Sequence, residues 1–272
     1  AIKLLREKGL AAAAKKADRI AADGLVSILK DGDTVAMVEV NSETDFVAKN
    51  ATFVEFVNGI LRTIVACKPA TLEALGACKF DGTEYTVDET VKDKIFTIGE
   101  KISVRRFVVI EGITSTYVHG NGAIGVIVKF DVDPSLATND KFVEFAKNIA
   151  LQAGAYATPY LDRDSVPANV IAEEKEVVIA QIKNDPKNAT KPEAILDKMA
   201  AGKLGKFYEE NCLVEKEYIK DDNMKVSQYI TSVAKELGTA IKIVEFARFE
   251  KGEGIQKRED NLGDEVAKML GK

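Results

Sequence analysis

The sequence predicts an α+β protein: an internally duplicated core of small antiparallel sheets with packed helices, a helical hairpin (coiled-coil) insertion in the second copy, and a C-terminal helical module. Three observations predict it. Phe53-Val54-Glu55-Phe56 recurs 89 residues on as Phe142-Val143-Glu144-Phe145, and the β-rich run Val35 to Val40 falls at the same offset on Ile124 to Lys129. The ends of the two units match at an offset of 139, Ile98-Gly99 with Leu237-Gly238, each reading as a helix, a glycine stop and a strand. The surplus of 50 residues therefore falls in the second unit, between about Pro159 and Met224.

Taken in order, residues 1–23 read as a helix, with Ile2, Leu5 and Leu10 apolar, then Ala-rich sequence running to a stop at Asp23-Gly24. Leu25 to Leu29 and Val35 to Val40 flank Lys30-Asp31-Gly32-Asp33, the pattern of a β-hairpin, because Asp-Gly supplies the positive φ of a tight turn. After Asn50 a helix follows, with Phe53, Phe56, Val57, Ile60, Leu61 and Ile64 at helical spacing, and it stops before Pro69. In the surplus segment, Val166 to Lys183 and Pro192 to Cys212 read as charged helices joined by the turn-rich Asn184-Asp185-Pro186-Lys187-Asn188. The tail carries Gly252, Gly254 and Gly263 as breakers, then Leu262, Val266, Met269 and Leu270 on one helical face; so short a helix is marginal alone and must dock. The expected boundaries are 1–23, 24–112, 113–251 with the insertion at about 165–220, and 252–272.

Composition narrows the function. The 272 residues are 46% hydrophobic and 30% charged. No apolar run approaches the ~18–20 residues of a bilayer span. With 38 Lys plus Arg against 43 Asp plus Glu, the net charge of −5 supplies no chain-wide basic field for nucleic acid. Cys67, Cys78 and Cys212 have no CxxC spacing, which suits a reducing compartment and reads as buried apolar filler, without a disulfide scaffold, zinc site or other cofactor. His119 is the single histidine, so any Ser-His-Asp or Cys-His chemistry would have to run through that ring. Ala1 already lies inside a helical pattern without a charged-then-apolar leader, so the reading expects preceding sequence and no secretion.

Two motifs compete between plain and functional roles. Gly120-Asn121-Gly122-Ala123-Ile124-Gly125 matches GxGxxG, which binds pyrophosphate only as a strand-to-helix turn; β-rich sequence follows here, so a hairpin turn is expected. His119 at its tip is either an ordinary turn residue or a partner contact. Asn41 to Asn50 joins strand to helix. Asp45 could merely cap and Phe46 merely tuck under the core, or both could serve function. The second unit has Asp133-Pro134-Ser135 where Thr44-Asp45-Phe46 stands in the first, so the fold does not require Asp-Phe there.

The chain resembles the elongation factor Ts family, guanine-nucleotide exchange factors of elongation factor Tu. The residues that carry the resemblance are Ala14-Lys15-Lys16-Ala17 with Ala21-Ala22-Asp23-Gly24, Glu39-Val40-Asn41, and Thr44-Asp45-Phe46-Val47-Ala48-Lys49. Tyr117, His119-Gly120 and Ile124-Gly125-Val126 follow, then Arg248-Phe249-Glu250 and Gly252-Glu253-Gly254-Ile255. Members usually begin with a three-helix domain resembling ubiquitin-associated domains, of which the segment around Ala1 to Lys8 would be the last helix. The basic residue common before the Ile-Gly-Val strand is Ala123 here.

The resemblance implies a cytoplasmic bacterial protein, or an organellar matrix form, that binds Tu and carries out no covalent chemistry. Thr44, Asp45, Phe46 and Val47 would enter the Tu nucleotide domain beside its Mg²⁺ site. His119 and Gly120 would touch that domain near the phosphate loop, and Leu262, Val266 and Met269 would dock on Tu or on the core. The helical insertion is expected to pair in a homodimer, because its apolar positions Val170, Val177, Val178, Ile195, Leu196, Met199, Leu204 and Phe207 exceed what two helices cover between them. The competing reading is a dimeric scaffold or chaperone-like protein without exchange activity.

Overall fold

The computed structural model describes residues 2–188 and 191–256. In chain order the elements are α1 (Ile2–Lys16), β1 (Asp23–Asp31), β2 (Thr34–Ser42), α2 (Asp45–Ala48), α3 (Ala51–Cys67), α4 (Leu72–Ala77), α5 (Val87–Ile98), β3 (Ser103–Glu111), β4 (Ile113–His119) and β5 (Ile124–Asp131). Then come α6 (Asp140–Ala155), α7 (Ala168–Lys183), α8 (Glu193–Asn211), β6 (Glu217–Tyr218), β7 (Asp221–Lys225), α9 (Val226–Leu237) and β8 (Lys242–Glu250). The fold is mixed α+β with small antiparallel sheets. One three-stranded sheet runs β1-β2-β3, another β4-β5-β8, and β6 pairs with β7. The chain divides into two compact units interleaved in sequence. The first takes residues up to Val109, Val118–Gly125 and the segment from Phe249; the second takes Ile110–Tyr117 and Val126–Arg248.

In the first unit the expected hairpin forms, β1 and β2 pairing antiparallel from Asp23 opposite Ser42 to Asp31 opposite Thr34. β2 is buried on both faces, which the run Val35 to Val40, apolar but for Glu39, anticipates. Ala36, Val38 and Val40 pack with Phe53, Phe56, Val57, Ile60, Leu61 and Ile64 of α3, and Leu75, Val87 and Ile95 from α4 and α5 complete that core. Asn50 starts α3 by accepting the Thr52 N–H at 2.8 Å, and Lys68 ends it in the left-handed region just before Pro69. A Thr86/Glu89 capping box opens α5, and Gly99 closes it at φ 85°.

The first helix is shorter than the sequence predicts: α1 stops at Lys16 and not at Asp23. The Lys101 ammonium donates to the Ala17 and Arg19 carbonyls at 2.5 and 2.8 Å, satisfying groups that a longer helix would have bonded internally. Ala21 and Ala22 are buried in the extended lead into β1, so tertiary packing overrides their helix propensity.

The second unit has β5 as the central strand of its sheet, with Val126, Ile127, Val128 and Phe130 buried. Asn139 caps α6, whose Phe142, Phe145, Ile149 and Ala153 face the core. Phe130 meets Phe142 edge-on at 5.5 Å between centroids, and Phe145 leads on to Tyr229, which stacks on Tyr218 at 4.2 Å. The β6–β7 hairpin is absent from the sequence reading. Buried Gln152 holds it by donating to the Glu217 carbonyl at 2.9 Å and accepting the Ile219 N–H at 2.7 Å.

Helices α7 and α8 lie where the pattern places them, with a core of their own: Val178, Ile182, Leu196 and Ala200, flanked by Ile179 and Met199. Val177 and Ile195 remain exposed. The cysteines do not behave uniformly as filler. Cys212 is buried, whereas Cys78 is half-buried and Cys67 exposed, because α3 ends at Cys67, three residues past its last buried residue, Ile64. Burial pushes the Cys78 and Cys212 thiols each up to about 11. Leu262, Val266 and Met269, with the C-terminal helical module they define, lie outside the described residues. Among the described residues no helix is long and apolar enough to cross a membrane.

Candidate functional site

The connection from β2 to α3 is a built platform. Thr44 caps the single-turn α2, its Oγ1 accepting the Val47 N–H at 3.4 Å. Val47 packs against the first core and Ala48 is buried, which fixes the inner side of the turn. Phe46 points the other way and is 82% exposed, so the tucked-under-the-core alternative is excluded. Asp45 bonds the Lys49 ammonium at 2.6 Å; that hydrogen bond holds the Asp45 carboxyl below its ordinary range and raises the Lys49 ammonium. Asp45 does not cap the turn; Thr44 does.

Behind this turn lies a reciprocal pair of glutamates. Glu100 Oε2 accepts the Glu43 and Thr44 N–H groups, both at 3.1 Å, and Oε1 accepts the Thr44 hydroxyl at 2.7 Å. Glu43 Oε1 in return accepts the Lys101 N–H at 2.6 Å and faces Arg19 at 3.4 Å. Each carboxylate thus closes the backbone of the other's loop.

His119, the last residue of β4, is exposed at a second turn. Gly120, Asn121 and Gly122 all have positive φ, 59°, 53° and 89°, and the Ala123 N–H returns to the His119 carbonyl at 3.0 Å. A Cβ on Gly122 would strike Leu25, so glycine is needed there for space as well as for φ. The Gly122 carbonyl accepts the Val26 N–H at 2.8 Å, pinning the turn to β1. Strand β5 follows, so GxGxxG is a hairpin turn with no helix N-terminus to receive a pyrophosphate. Thr44 to Val47 and His119-Gly120 are therefore two separate turns of the first unit.

A third feature escapes the sequence reading as a site. Glu39, with no exposed surface, sits on β2 and accepts from Arg105 at 3.0 Å, Arg106 at 2.6 Å, Asn41 at 3.1 Å and the Gly252 N–H at 2.7 Å. Burial alone would raise its pKa; the Gly252, Asn41, Arg105 and Arg106 hydrogen bonds outweigh it and leave the carboxyl below its ordinary value. Arg106 also reaches the Glu250 carbonyl and Glu253, both at 3.0 Å, and lies over the Phe249 ring at 4.4 Å. Lys251 bonds Asp23 at 2.8 Å, and its N–H bonds the Ala123 carbonyl at 2.9 Å. The strap from Phe249 to Gly254 is thus clasped to β2 and to the His119 turn. Its signal in sequence is one glutamate inside an otherwise apolar strand, which burial permits only with partners.

The segments that build these turns and clasps are also those that match known proteins. Residues 43–253 fit the family model described as Elongation factor TS. Over 272 residues the chain is 43% identical to the Elongation factor Ts of Syntrophotalea carbinolica, covering 99% of this chain and 88% of that protein. It is 45% identical over 275 residues to that of Clostridioides difficile strain 630, and 42% over 276 residues to that of Clostridium kluyveri, with 99% and 88% covered in both. The matched region opens at Glu43 beside the exposed Phe46 and closes at Glu253 in the strap held by Arg106. Identity at this level along nearly the whole length of each protein places the chain in the elongation factor Ts family.

Proposed function

We infer that the chain is the nucleotide-exchange factor of elongation factor Tu, binding Tu·GDP and promoting GDP release during elongation in the bacterial cytoplasm. The observation that carries the site is Phe46, a large apolar ring 82% exposed on a turn whose inner face is fixed. Such a ring acts as a wedge, and its burial in a partner pocket is worth ~1.5–3 kcal/mol. Asp45 beside it, paired with Lys49 at 2.6 Å, presents a carboxylate toward the partner's Mg²⁺ and phosphate region. No bond in the substrate is made or broken. The factor is a second ligand with negative coupling to nucleotide, so GDP weakens its binding as much as it weakens GDP's.

Loosening nucleotide about 10⁴-fold takes ~5.5 kcal/mol of differential affinity, more than one phenylalanine supplies. We therefore assign further contacts to His119 and Gly120, and to Leu262, Val266 and Met269 in the tail. The two sheets with α3 and α6 are read as copies of one unit spanning about 24–112 and 113–251. The alike strand-helix pairs and the glycine caps at Gly99 and Gly238 support this. The α7–α8 pair is read as a coiled-coil insertion in the second copy. Its exposed Val177 and Ile195 would meet a second chain in a homodimer, which sedimentation of the intact chain tests: a monomer at micromolar concentration rejects it.

Release of a fluorescent GDP from Tu, with and without the chain, tests the function itself. Faster release separates exchange from a scaffold or chaperone-like role, which would bind Tu and leave the rate unchanged.

A further inference from the structure

We propose that Glu100 is a positioning residue for nucleotide exchange: it sets the direction in which Phe46 is presented, although it lies 54 residues away in sequence and does not itself meet the partner. This rests on the reading of Phe46 as the wedge. A single turn of helix has no stability of its own, since nucleation costs more than its one or two hydrogen bonds return. α2 must therefore be held from outside. Its inner side is held by Val47 and Ala48, which fix depth but not rotation. Rotation is decided at the cap, and Thr44 is bound at three points of one carboxylate's reach: its N–H, its hydroxyl, and the neighbouring Glu43 N–H.

The chemistry requires an acidic residue. All three groups are donors, and only an ionised carboxylate accepts from all of them at once. The hydroxyl proton of Thr44 is spent on Glu100 at 2.7 Å, which turns the Oγ1 lone pairs toward the Val47 N–H and completes the cap. Glu100 thus orients the very atom that starts α2. It is well placed for this because Gly99 ends α5 with φ 85° and turns the chain toward the loop, and Lys101 is tied back to Glu43 at 2.6 Å. Loss of the carboxylate leaves Phe46 attached to an uncapped turn that samples several directions, and a wedge that must enter one pocket loses rate in proportion.

The test uses the full chain and Tu loaded with fluorescent GDP, with Glu100→Ala, Glu100→Gln, Phe46→Ala and the Glu100→Ala/Phe46→Ala double variant. Glu100→Ala is expected to slow stimulated release roughly fivefold to tenfold, as loss of charge-assisted hydrogen bonds implies. Glu100→Gln, which keeps an acceptor for the two N–H groups but turns an amide donor toward the Thr44 hydroxyl, recovers only part of the rate. The double variant is no slower than Phe46→Ala alone. Amide hydrogen exchange gives a second readout: in Glu100→Ala, Glu43 and Thr44 lose protection while β1 and β2 keep theirs. A full rate in Glu100→Ala with a slow Phe46→Ala overturns the positioning role alone, as does a Glu100→Ala loss that multiplies with that of Phe46→Ala. A full rate in Phe46→Ala overturns the wedge reading and this inference with it.

Discussion

Two connections in this molecule do the same backbone job with different chemistry. Each leads from the central strand of a three-stranded sheet into an asparagine-capped helix that buries two phenylalanines, Asn50 with Phe53 and Phe56, and Asn139 with Phe142 and Phe145. In the second, Asp133 is satisfied by a near neighbour: the Ser135 hydroxyl and then the Ser135 N–H, the latter at 2.8 Å, bond its carboxylate and lower its pKa, and a short 3-10 turn over Pro134–Leu136 follows. In the first, the loop relies on Glu100 from a distant segment and holds an exposed phenylalanine. Since the plainer connection makes an equally good helix start, the helix start by itself does not require the elaboration at Thr44 to Val47.

The central strands differ in the same direction. At the offset of 89 residues, Glu39 in β2 stands where Val128 stands in β5, a buried charge against a buried methyl pair. The largest effect is expected here. Glu39→Ala should destabilise the protein by about 2–3 kcal/mol, measured by urea unfolding, since it strips partners from Arg105, Arg106 and the Gly252 N–H. The two arginines, 28% and 29% exposed, recover some hydration, which keeps the loss below that of a fully buried pair.

The same residue sets a pH dependence. Its folded pKa lies below the unfolded carboxylate value of about 4.3, so its stabilisation is complete above that pH and is lost as pH falls through the folded value. Acid should therefore loosen β1–β2 amide protection before that of β5. Glu39→Gln should flatten the dependence, and an unchanged acid profile in that variant would break the comparison.

Next in size is the loop contrast. Phe46→Ala should slow stimulated GDP release about tenfold or more, equivalent to ~1.4 kcal/mol, while the melting temperature hardly moves. The reciprocal change, Ser135→Phe, should give no gain in exchange and alter stability by less than about 0.5 kcal/mol, as expected of an exposed site. A large fall in melting temperature for Phe46→Ala with normal exchange would return the ring to a structural role.

The smallest effect belongs to the His119 turn, whose backbone the Gly122 carbonyl pins to Val26. His119→Ala should reduce exchange roughly twofold to threefold, by a contact of under ~1 kcal/mol. Losses of equal size at about pH 6 and pH 8 mean partner contact; a bell-shaped profile that vanishes in the variant would mean proton transfer.

What the sequence determined by itself is local. Periodicity placed α3 and the α7–α8 pair, the Phe-Val-Glu-Phe repeat marked α6, Asp31-Gly32 placed the first hairpin, and Gly99 and Gly238 marked helix ends, because apolar spacing, positive φ and capping act over a few residues. The repeat of Phe-Val-Glu-Phe aligns the two loops and leaves Phe46 among the residues by which they differ. Tertiary structure decided what depends on distant partners. It ended α1 at Lys16 through Lys101, tied Gly252 to Glu39 across 213 residues, formed the β6–β7 hairpin on Gln152, and left Phe46 in solvent with Glu100 behind it. In each case a carboxylate, ammonium or amide finds its partner only once the chain has folded, and no spacing rule encodes a hydrogen bond between residues dozens to hundreds of positions apart.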